Sequence, residues 1–179
     1  MAFDAFFYFT AAADQSKVPG ETQDQVFKDK KAFELISFTI GAENNINIGS
    51  SSGGGGAGKA TFKEFSITKK TDAGSPGLFQ MLTVGRHFEE AIVELRRSGG
   101  STESSGSTFM KFYFKHLMVQ DIEWSGSDGD DICEESVTFQ YGATKIEYIP
   151  QKADGSMDSA NKKSAEWSRI KNTAQYAVT

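Results

Sequence analysis

The sequence predicts an all-β (mainly β) fold with one short α-helix. The chain contains 15 Phe and 18 Gly but only 3 Pro, a composition typical of short aromatic-rich strands joined by flexible turns. Most segments between those turns alternate apolar and polar residues with a period of two, as half-buried strands do. Because 179 residues suit one domain with a full core, we expect a single domain over residues 1–172 and a C-terminal tail over residues 173–179.

Two alternating segments open the chain. Residues 3–9, "FDAFFYF", are expected to form a strand, and residues 33–41, "FELISFTIG", a second one. The apolar face of the first strand comprises Phe3, Ala5, Phe7 and Phe9, and that of the second comprises Ile36, Phe38 and Ile40. The opposite side of the second strand carries Ser37 and Thr39. Two half-polar strands in a row predict a sheet with one face open to water.

A single helix is expected at "SPGLFQMLTVG". Ser75 can cap it, Pro76 suits the first helical position because its missing N–H would be unpaired anyway, and Gly85 suits a left-handed stop. Upstream, "KATFKEFSITKK" is rich in strand formers, but Phe62 and Phe65 are out of phase and imply a bulge or a twist. Further strands are expected at "EEAIVELRRSGG", "STFMKFYFKHLMVQDIEW", "ESVTFQY", "TKIEYIPQ" and "EWSRIKN".

Neither histidine belongs to a metal-binding pattern. One face of the long strand "STFMKFYFKHLMVQDIEW" is expected to contain Met110, Phe112, Phe114, His116 and Met118. His116 would then be a partly buried core residue, whereas His87 follows the helix stop and would lie at the surface. Asp128, Asp130 and Asp131 share a glycine-containing turn, but their spacing lacks the order of a calcium loop. We expect no metal site and no cofactor.

Composition argues against several classes of function. A net charge of −5 and the lack of a long Lys/Arg stripe argue against nucleic-acid binding. Cys133 is the single cysteine, so no intrachain disulfide can form and a reducing compartment fits. No apolar run approaches the length of a bilayer, and "FFYFTAAA" lacks the preceding basic residue of a signal peptide. We expect a soluble protein without membrane insertion, whose export would not use a classical signal.

Residues 49–60, "GSSSGGGGAGKA", match two catalytic patterns at once. The first five fit the G-x-S-x-G nucleophile elbow with Ser51 as its nucleophile, and Gly53 to Lys59 fit most of a phosphate-binding P-loop. A P-loop needs Ser or Thr after the lysine and then a helix, but Ala60 and a strand-like segment follow here. Because a glycine-rich run is costly to order, a mechanical role in which a partner orders the segment fits better.

Seven segments match one known protein family in order: "MAFDAFF", "VPGETQDQ", "ELISFTIG", "GGGGAGKATFKEFSITKKTDAGSPGLF", "RRSGG", "EYIPQKADGS" and "EWSRIKN". Through them the chain resembles, over nearly its full length, the haemolysin-coregulated protein (Hcp) family of bacterial type VI secretion systems. The stretches from Lys59 to Leu78 and from Tyr148 to Gly155 are the most specific. The residues of the family motif are Ser75, Pro76, Tyr148, Pro150, Gln151, Lys152, Asp154, Gly155 and Trp167.

The resemblance implies a compact β-barrel of two sheets with one short α-helix, resembling phage tail-tube proteins, and no catalytic activity. Members of the family assemble as homohexameric rings that stack into the inner tube of the secretion system, inside a contractile sheath and below a spike protein at the tip. Small effector proteins can ride in the lumen. The resemblance therefore implies assembly in the bacterial cytoplasm, followed by secretion into a target cell.

Three surfaces are expected to serve such an assembly. A loop that reaches a neighbouring protomer or ring is expected at Asn47, Gly49, Gly53, Gly54, Gly55, Gly56, Gly58 and Lys59. Residues 151–171 carry five Lys or Arg against three Asp or Glu and could meet an acidic surface, such as the turn from Asp128 to Asp131, on another copy. The polar strand side with Ser37 and Thr39 is the candidate lumen face, although alternation alone does not say which face turns inward.

Two rival functions stay open at this point. A monomeric β-sandwich that binds carbohydrate or peptide would use an exposed aromatic residue, such as Tyr113 or Trp124, in a groove. Such a module offers no reason for the glycine-rich segment. A hydrolase would use Ser51, and the substitution Ser51→Ala would abolish its activity.

Overall fold

The computed structural model describes residues 3–47, 56–97 and 106–179. Those residues form eleven strands and two α-helices: β1 Phe3–Phe9, α1 Ala12–Lys17, β2 Phe33–Glu34, β3 Ser37–Thr39, β4 Ala42–Asn47, β5 Gly56–Phe62, β6 Phe65–Lys70, α2 Ser75–Val84, β7 His87–Arg97, β8 Ser107–Ser125, β9 Glu134–Gln140, β10 Ala143–Tyr148 and β11 Lys163–Ser168. The prediction of a mainly β fold is confirmed.

One large sheet contains nine of these strands. Its main path runs in the order β2-β1-β7-β8-β9-β6-β3, while β10 pairs with β8 and carries β11 at its outer edge. Strands β4 and β5 form a separate two-stranded hairpin. The predicted break of phase between Phe62 and Phe65 is therefore the point at which the chain leaves the hairpin and enters the large sheet.

The two edges of the large sheet are joined by one short segment of chain. Strands β2 and β3 lie at opposite ends of the strand order, but only Leu35 and Ile36 separate them. The Leu35 N–H donates to the carbonyl of Ala5 in β1 (2.9 Å), and the Ile36 N–H donates to that of Thr68 in β6 (2.8 Å). The sheet therefore curls into an open barrel, whose two edges approach each other without a strand ladder between β2 and β3.

This crossing corrects the prediction of one continuous strand over residues 33–41. At Leu35 and Ile36 the chain stops pairing with β1 and begins to pair with β6. The alternation of buried and exposed side chains shifts at the same point. Leu35 packs against the core, whereas the Ile36 side chain is 51% exposed instead of sharing the buried side with Phe38. A change of pairing partner is a long-range event, so the local pattern did not reveal it.

Aromatic rings fill the inside of the barrel. The fully buried rings of this main core are those of Phe7, Phe9, Phe33, Phe65, Phe88, Phe114 and Phe139. The Phe65 and Phe114 rings stack with centroids 4.3 Å apart, and the Phe9 and Phe88 rings do so at 4.0 Å. Each such side chain contributes about 1.5–3 kcal/mol through burial. The phenylalanine-rich composition thus supplies the core of the barrel.

The outer face of β1 is covered rather than open to water, contrary to the prediction. Phe6 and Tyr8 pack there in a second buried cluster with Phe27 and Ala32. The Phe6 and Phe27 rings stack with centroids 4.0 Å apart. Phe3, which was expected on the core side, is 51% exposed at the start of the strand. The alternation of apolar and polar residues within a strand does not show whether another segment of the chain folds over that strand.

Strand β8 bends at His116, which adopts a left-handed backbone conformation with φ of 55°. Up to Lys115 the strand pairs with β10, and from Met118 onward it pairs with β9. The bend reverses the alternation, so Leu117 and Val119 are buried while Met118 is exposed. The predicted apolar face through His116 and Met118 is therefore wrong beyond Phe114.

The predicted helix is confirmed as α2, which ends at Val84 and is followed by the C-cap residue Gly85 with φ of 68°. Gly74, and not Ser75, occupies the N-cap position. The Ser75 hydroxyl instead donates to the buried Glu135 carboxylate at 2.9 Å. Helix α1 was not predicted, because six residues are too short for a recognisable helical period.

Residues 173–179 lie against the large sheet. The Tyr176 hydroxyl donates to Glu90 of β7 at 2.9 Å, and the Lys115 ammonium of β8 donates to the Tyr176 carbonyl at 3.3 Å. The division into a domain over residues 1–172 and a tail over residues 173–179 stays a prediction. Among the described residues, no helix combines the length and the apolar character that crossing a membrane requires.

Candidate functional site

Six small hydroxyl side chains form a continuous patch on the outer side of β3, β6 and β9. This patch, the hydroxyl face, consists of Ser37, Thr39, Ser66, Thr68, Ser136 and Thr138. The strand register sets them in two rows, one through Ser37, Thr68 and Ser136, the other through Thr39, Ser66 and Thr138. The same rows continue onto β8 at Glu123 and Asp121.

Local sequence explains why these six residues point outward. Each of the three strands contains a Ser-apolar-Thr triplet, at residues 37–39, 66–68 and 136–138, whose middle residue packs into the core. When the middle residues of two such triplets pair in antiparallel strands, the Ser of one triplet lies opposite the Thr of the other. The middle residues Phe38, Ile67 and Val137 do pair in this way.

The hydroxyl face is polar and at least partly exposed. Ser37 and Thr39 are exposed, and the other four side chains are half-buried. The hydroxyl oxygens of Ser66 and Thr138 lie 3.0 Å apart, so some hydrogen bonds are made within the face. A hydroxyl both donates and accepts hydrogen bonds. The face can therefore bind water through its hydroxyl groups.

Sequence reasoning found only Ser37 and Thr39 of this face. The repeated triplet was a usable signal, since three copies of one short pattern on three expected strands could have been aligned with each other. What the sequence did not show is that β3, β6 and β9 are neighbours, because they are separated by up to about a hundred residues of chain.

The β4–β5 hairpin holds the described part of the expected assembly loop. Asn47 ends β4, while Gly56, Gly58 and Lys59 belong to β5. Gly56 and Gly58 are thus strand residues rather than loop residues. At Gly58 a Cβ atom would lie 2.6 Å from the Asn45 carbonyl oxygen, so this close pairing requires glycine. Four other expected loop residues, Gly49, Gly53, Gly54 and Gly55, lie outside the described residues.

The hairpin exposes apolar and polar side chains alike. The Ile46 side chain is 60% exposed, and most neighbouring side chains of β4 are exposed as well. Within the described residues, β4 and β5 pair with each other and with no other strand. A lone two-stranded hairpin is marginally stable in water.

The C-terminal family-motif residues build a tight turn after β10. Tyr148 is the last residue of β10, and Gln151 donates through its side chain to the Gly155 carbonyl at 2.7 Å. Gly155 has φ of 87°, a conformation that favours glycine. The Asp154 carboxylate accepts hydrogen bonds from the backbone and hydroxyl of Ser156, which lowers the pKa of Asp154. Pro150 and Lys152 lie in the same turn.

The remaining motif residues lie elsewhere. Ser75 and Pro76 begin α2. Trp167 belongs to β11, and its ring lies 6.5 Å from that of Phe62 at the base of the hairpin. The motif is therefore a set of structural positions spread over the fold, and the described residues do not bring it together at one point.

The β8–β9 ribbon ends in a strongly acidic turn. Residues 116–144 contain seven Asp or Glu and no Lys or Arg. Six of these acids are exposed: Asp121, Glu123, Asp128, Asp130, Asp131 and Glu134. The stretch over residues 151–171 begins beside the other end of β8, since Tyr148 pairs with Met110. The expected acidic and basic surfaces therefore lie apart on the molecule.

A cavity of about 600 Å³ opens where β8 bends, beside the base of the hairpin. This cationic pocket is lined by Lys59, Phe62, His116, Tyr141, Trp167 and Arg169, among others, and no Asp or Glu lines it. The Arg169 guanidinium donates to the Gln140 side chain and to the Tyr141 carbonyl, each at 3.0 Å. Both acceptors are neutral, so the positive charge of Arg169 is not compensated there.

The two histidines meet at the same bend. The His87 and His116 rings stack with centroids 4.1 Å apart. Burial lowers the pKa of His116, and the adjacent His87 lowers it further. His116 is partly buried and His87 is exposed, as expected from the sequence. In the described residues no group of three or more His, Cys, Asp or Glu is arranged to hold a metal ion.

Of the residues named for other functions, the structure describes Lys59, Trp124 and Tyr113. Lys59 lies within strand β5, and not at the start of a helix as a P-loop requires. Ser51 lies outside the described residues. The Trp124 indole N–H donates to the buried Glu135, and the Lys145 ammonium covers the Tyr113 ring at 4.0 Å from its centroid.

Comparison with known proteins gives a consistent result. Residues 9–148 match the family model T6SS_HCP, described as "Type VI secretion system effector, Hcp". A curated relative, "Protein hcp1" of Pseudomonas aeruginosa, is 30% identical over 100 residues, which span 56% of this chain and 60% of that protein. The aligned part thus covers less than two thirds of this relative.

Solved structures extend the likeness to nearly the whole chain. One described as "Structure of a type six secretion system protein" is 28% identical, with a TM-score of 0.84, over 97% of this chain and 100% of that one. Hcp1 from Salmonella typhimurium has a TM-score of 0.71 at 23% identity, over 98% of this chain and 100% of that one. At that identity the second likeness concerns the fold alone.

Proposed function

Because the chain belongs to the Hcp family of type VI secretion system effectors, we propose that it is a structural subunit of the secretion tube. In this proposal, six copies form a ring, rings stack into a tube, and the tube carries effector proteins to target cells. The protein acts by assembly and not by catalysis. The observation that carries the proposal is the hydroxyl face, a broad wall of small polar groups on a rigid barrel.

The hydroxyl face is proposed to line the lumen of the ring. A channel through which cargo must pass needs a wall that stays hydrated and offers no strong anchor. The two hydroxyl rows across β3, β6 and β9 meet that need, since large apolar side chains of these strands point into the core. The neighbouring Asp121 and Glu123 would give the wall an acidic border.

A ring requires that one edge of a protomer meet a different edge of the next. Strand β11 offers such an edge, since in the described residues its ladder partner is β10 alone. The β4–β5 hairpin is proposed as the arm that reaches a neighbouring protomer or ring. Its exposed Ile46 would be buried there.

Stacking is proposed to run head to tail. The acidic turn at one end of β8 and the stretch over residues 151–171 would face each other on successive copies. A contact between exposed charges weakens when salt screens them. Raised salt is therefore expected to disperse stacks before it disperses rings.

The other partners follow from the proposed role. The tube would lie inside a contractile sheath, with a spike protein at its tip and effectors in its lumen. Assembly would take place in the bacterial cytoplasm, and delivery would need no classical signal peptide. No cofactor, nucleic acid or membrane insertion is part of the proposal.

Negative-stain electron microscopy of the purified protein, beside its mass in solution, tests the proposal. Closed rings with a central hole and the mass of six chains are expected. A strict monomer at high concentration would contradict it, and would instead favour the single-domain binding module. In that case titration with glycans and peptides, with the aromatic residues Tyr113 and Trp124 replaced in turn, would be the next measurement.

A further inference from the structure

We propose that the cationic pocket of one copy receives the acidic turn, residues 126–133, of a second copy. This inference rests on the proposed function, because it requires copies of the chain to assemble. It names the two surfaces that meet, which family membership does not do.

The pocket has the chemistry to accept an acidic segment with an apolar side chain. Lys59 and Arg169 supply positive charge, and within the described residues neither forms an ion pair with a carboxylate. Phe62 and Trp167 supply an aromatic wall next to those charges. In a chain with a net charge of −5, a cavity with two cations and no lining acid is a distinctive surface.

The acidic turn has the matching features. Asp128, Asp130 and Asp131 are all exposed, and Ile132 beside them is 52% exposed. Aromatic residues and Arg are enriched at protein interfaces, and complementary charges across an interface fix its register. The turn therefore offers an apolar anchor and the charges that orient it.

The geometry requires a second copy. Strand β9 leads from the turn to the pocket, and its seven residues span roughly 20 Å at about 3.3 Å per residue. The turn of one chain therefore cannot enter the pocket of the same chain. A contact between two different surfaces of identical copies is heterologous, so it repeats from copy to copy and gives the assembly a direction.

The native cysteine allows a direct test. Cys133 is exposed at the end of the acidic turn, and Thr61 is exposed in β5 where it lines the pocket. In the variant Thr61→Cys, oxidation with copper phenanthroline is expected to link residue 61 of one chain to Cys133 of another. The link forms only if the two Cα atoms come within about 7 Å. Mass spectrometry of the linked peptides identifies the pair.

Two matched variants control this test. Thr61→Cys with Cys133→Ser removes the partner thiol, so the 61–133 peptide must vanish. Ser16→Cys places a thiol on the exposed side of α1, away from the pocket, and should give no link to Cys133. If residue 16 links to Cys133 as readily as residue 61 does, the crosslink reports random collision and the inference fails.

A charge exchange gives a second, independent measurement. Lys59→Glu and Asp131→Lys should each lower the amount of assembled protein several-fold, as measured by mass photometry, and the two together should restore most of it. Glu21→Lys makes the same change of charge as Asp131→Lys at an exposed position elsewhere and should leave assembly unchanged. Single variants that assemble like the parent would overturn the inference.

The outcomes separate this inference from the proposed function. Closed rings or stacks without a 61–133 link leave the tube subunit standing and overturn the pocket contact. A protein that stays monomeric at every concentration overturns both. A 61–133 link together with rescue by charge exchange establishes the contact.

Discussion

The Lys69 ammonium lies 2.7 Å from the Glu135 carboxylate inside the protein, where both side chains are almost fully buried. Glu135 also accepts hydrogen bonds from the Ser75 hydroxyl at 2.9 Å and from the Trp124 indole at 2.7 Å. Lys69 makes a second ion pair with Asp72 at 2.8 Å. This network joins β6, β9, β8 and the start of α2, so it holds the helix on the strands that carry the hydroxyl face.

Removing Glu135 is expected to destabilise the fold strongly. In Glu135→Ala the buried Lys69 loses its nearest carboxylate, and breaking a buried pair from one side costs about 3–5 kcal/mol. The free energy of unfolding in urea measures this loss. The neighbouring exposed Glu134→Ala serves as the control and should change stability by less than about 0.5 kcal/mol.

The same pair can be tested by a double substitution. Replacing both partners, Lys69→Met with Glu135→Leu, removes both buried charges of the pair, although Asp72 then loses its ion pair with Lys69. The double variant is therefore expected to lose less stability than the single variants Lys69→Met and Glu135→Leu lose in sum. If the losses in free energy of unfolding of the two single variants simply add in the double variant, the two side chains are not coupled.

The buried Glu94 is expected to make stability depend on pH. Burial alone would raise its pKa, but a hydrogen bond from Thr108 and the charges of Lys111 and Lys30 outweigh burial and hold the pKa below its ordinary value of 4.5. The folded state thus favours the carboxylate. Its contribution is complete above the ordinary pKa and is lost as pH falls through 4.5 toward the lower folded value.

Glu94→Gln isolates this effect. The parent should be more stable than the variant at pH 7, and the difference should shrink as the pH is lowered below 4.5. Unfolding in urea at a series of pH values measures the difference. An unchanging difference between the two proteins across this range would show that Glu94 does not titrate as argued.

Any side chain at residue 77 in α2 is expected to lower the stability of the fold. Alanine favours a helix by up to about 1 kcal/mol over glycine. At residue 77, however, its Cβ would lie 2.2 Å from the Lys17 carbonyl oxygen, a backbone atom that cannot move freely. Overpacking of this kind costs about 1–3 kcal/mol, so Gly77→Ala should lower the melting temperature by several degrees.

The position of the hydroxyl face in the ring can be tested with one large side chain. In the proposed hexamer, Thr68→Trp would place six indoles in the lumen, so rings should still form but with a smaller stain-filled hole. Thr83→Trp, on the exposed side of α2, should leave the hole unchanged. If Thr68→Trp abolishes rings while the monomer stays folded, the hydroxyl face lies in an interface between protomers.

Local sequence determined the elements that depend on near neighbours in the chain. Pro76, the second residue of helix α2, and Gly85, its C-cap, were found because each acts through its own backbone conformation. Alternation predicted β1, β7, β8, β9 and β10, and it also separated Ser37 and Thr39 from Phe38. The family resemblance, carried by ordered motifs, is confirmed by a family match over residues 9–148.

Tertiary structure decided which of these elements meet. The three Ser-apolar-Thr triplets become one surface only because β3, β6 and β9 are adjacent, and the cationic pocket brings together β5, β11 and the bend of β8. Strand pairing joins residues far apart in the chain, so its register is set by packing of the whole barrel and not by the segment itself. A period of two shows that a strand has two faces, and only the folded barrel determines what each face meets.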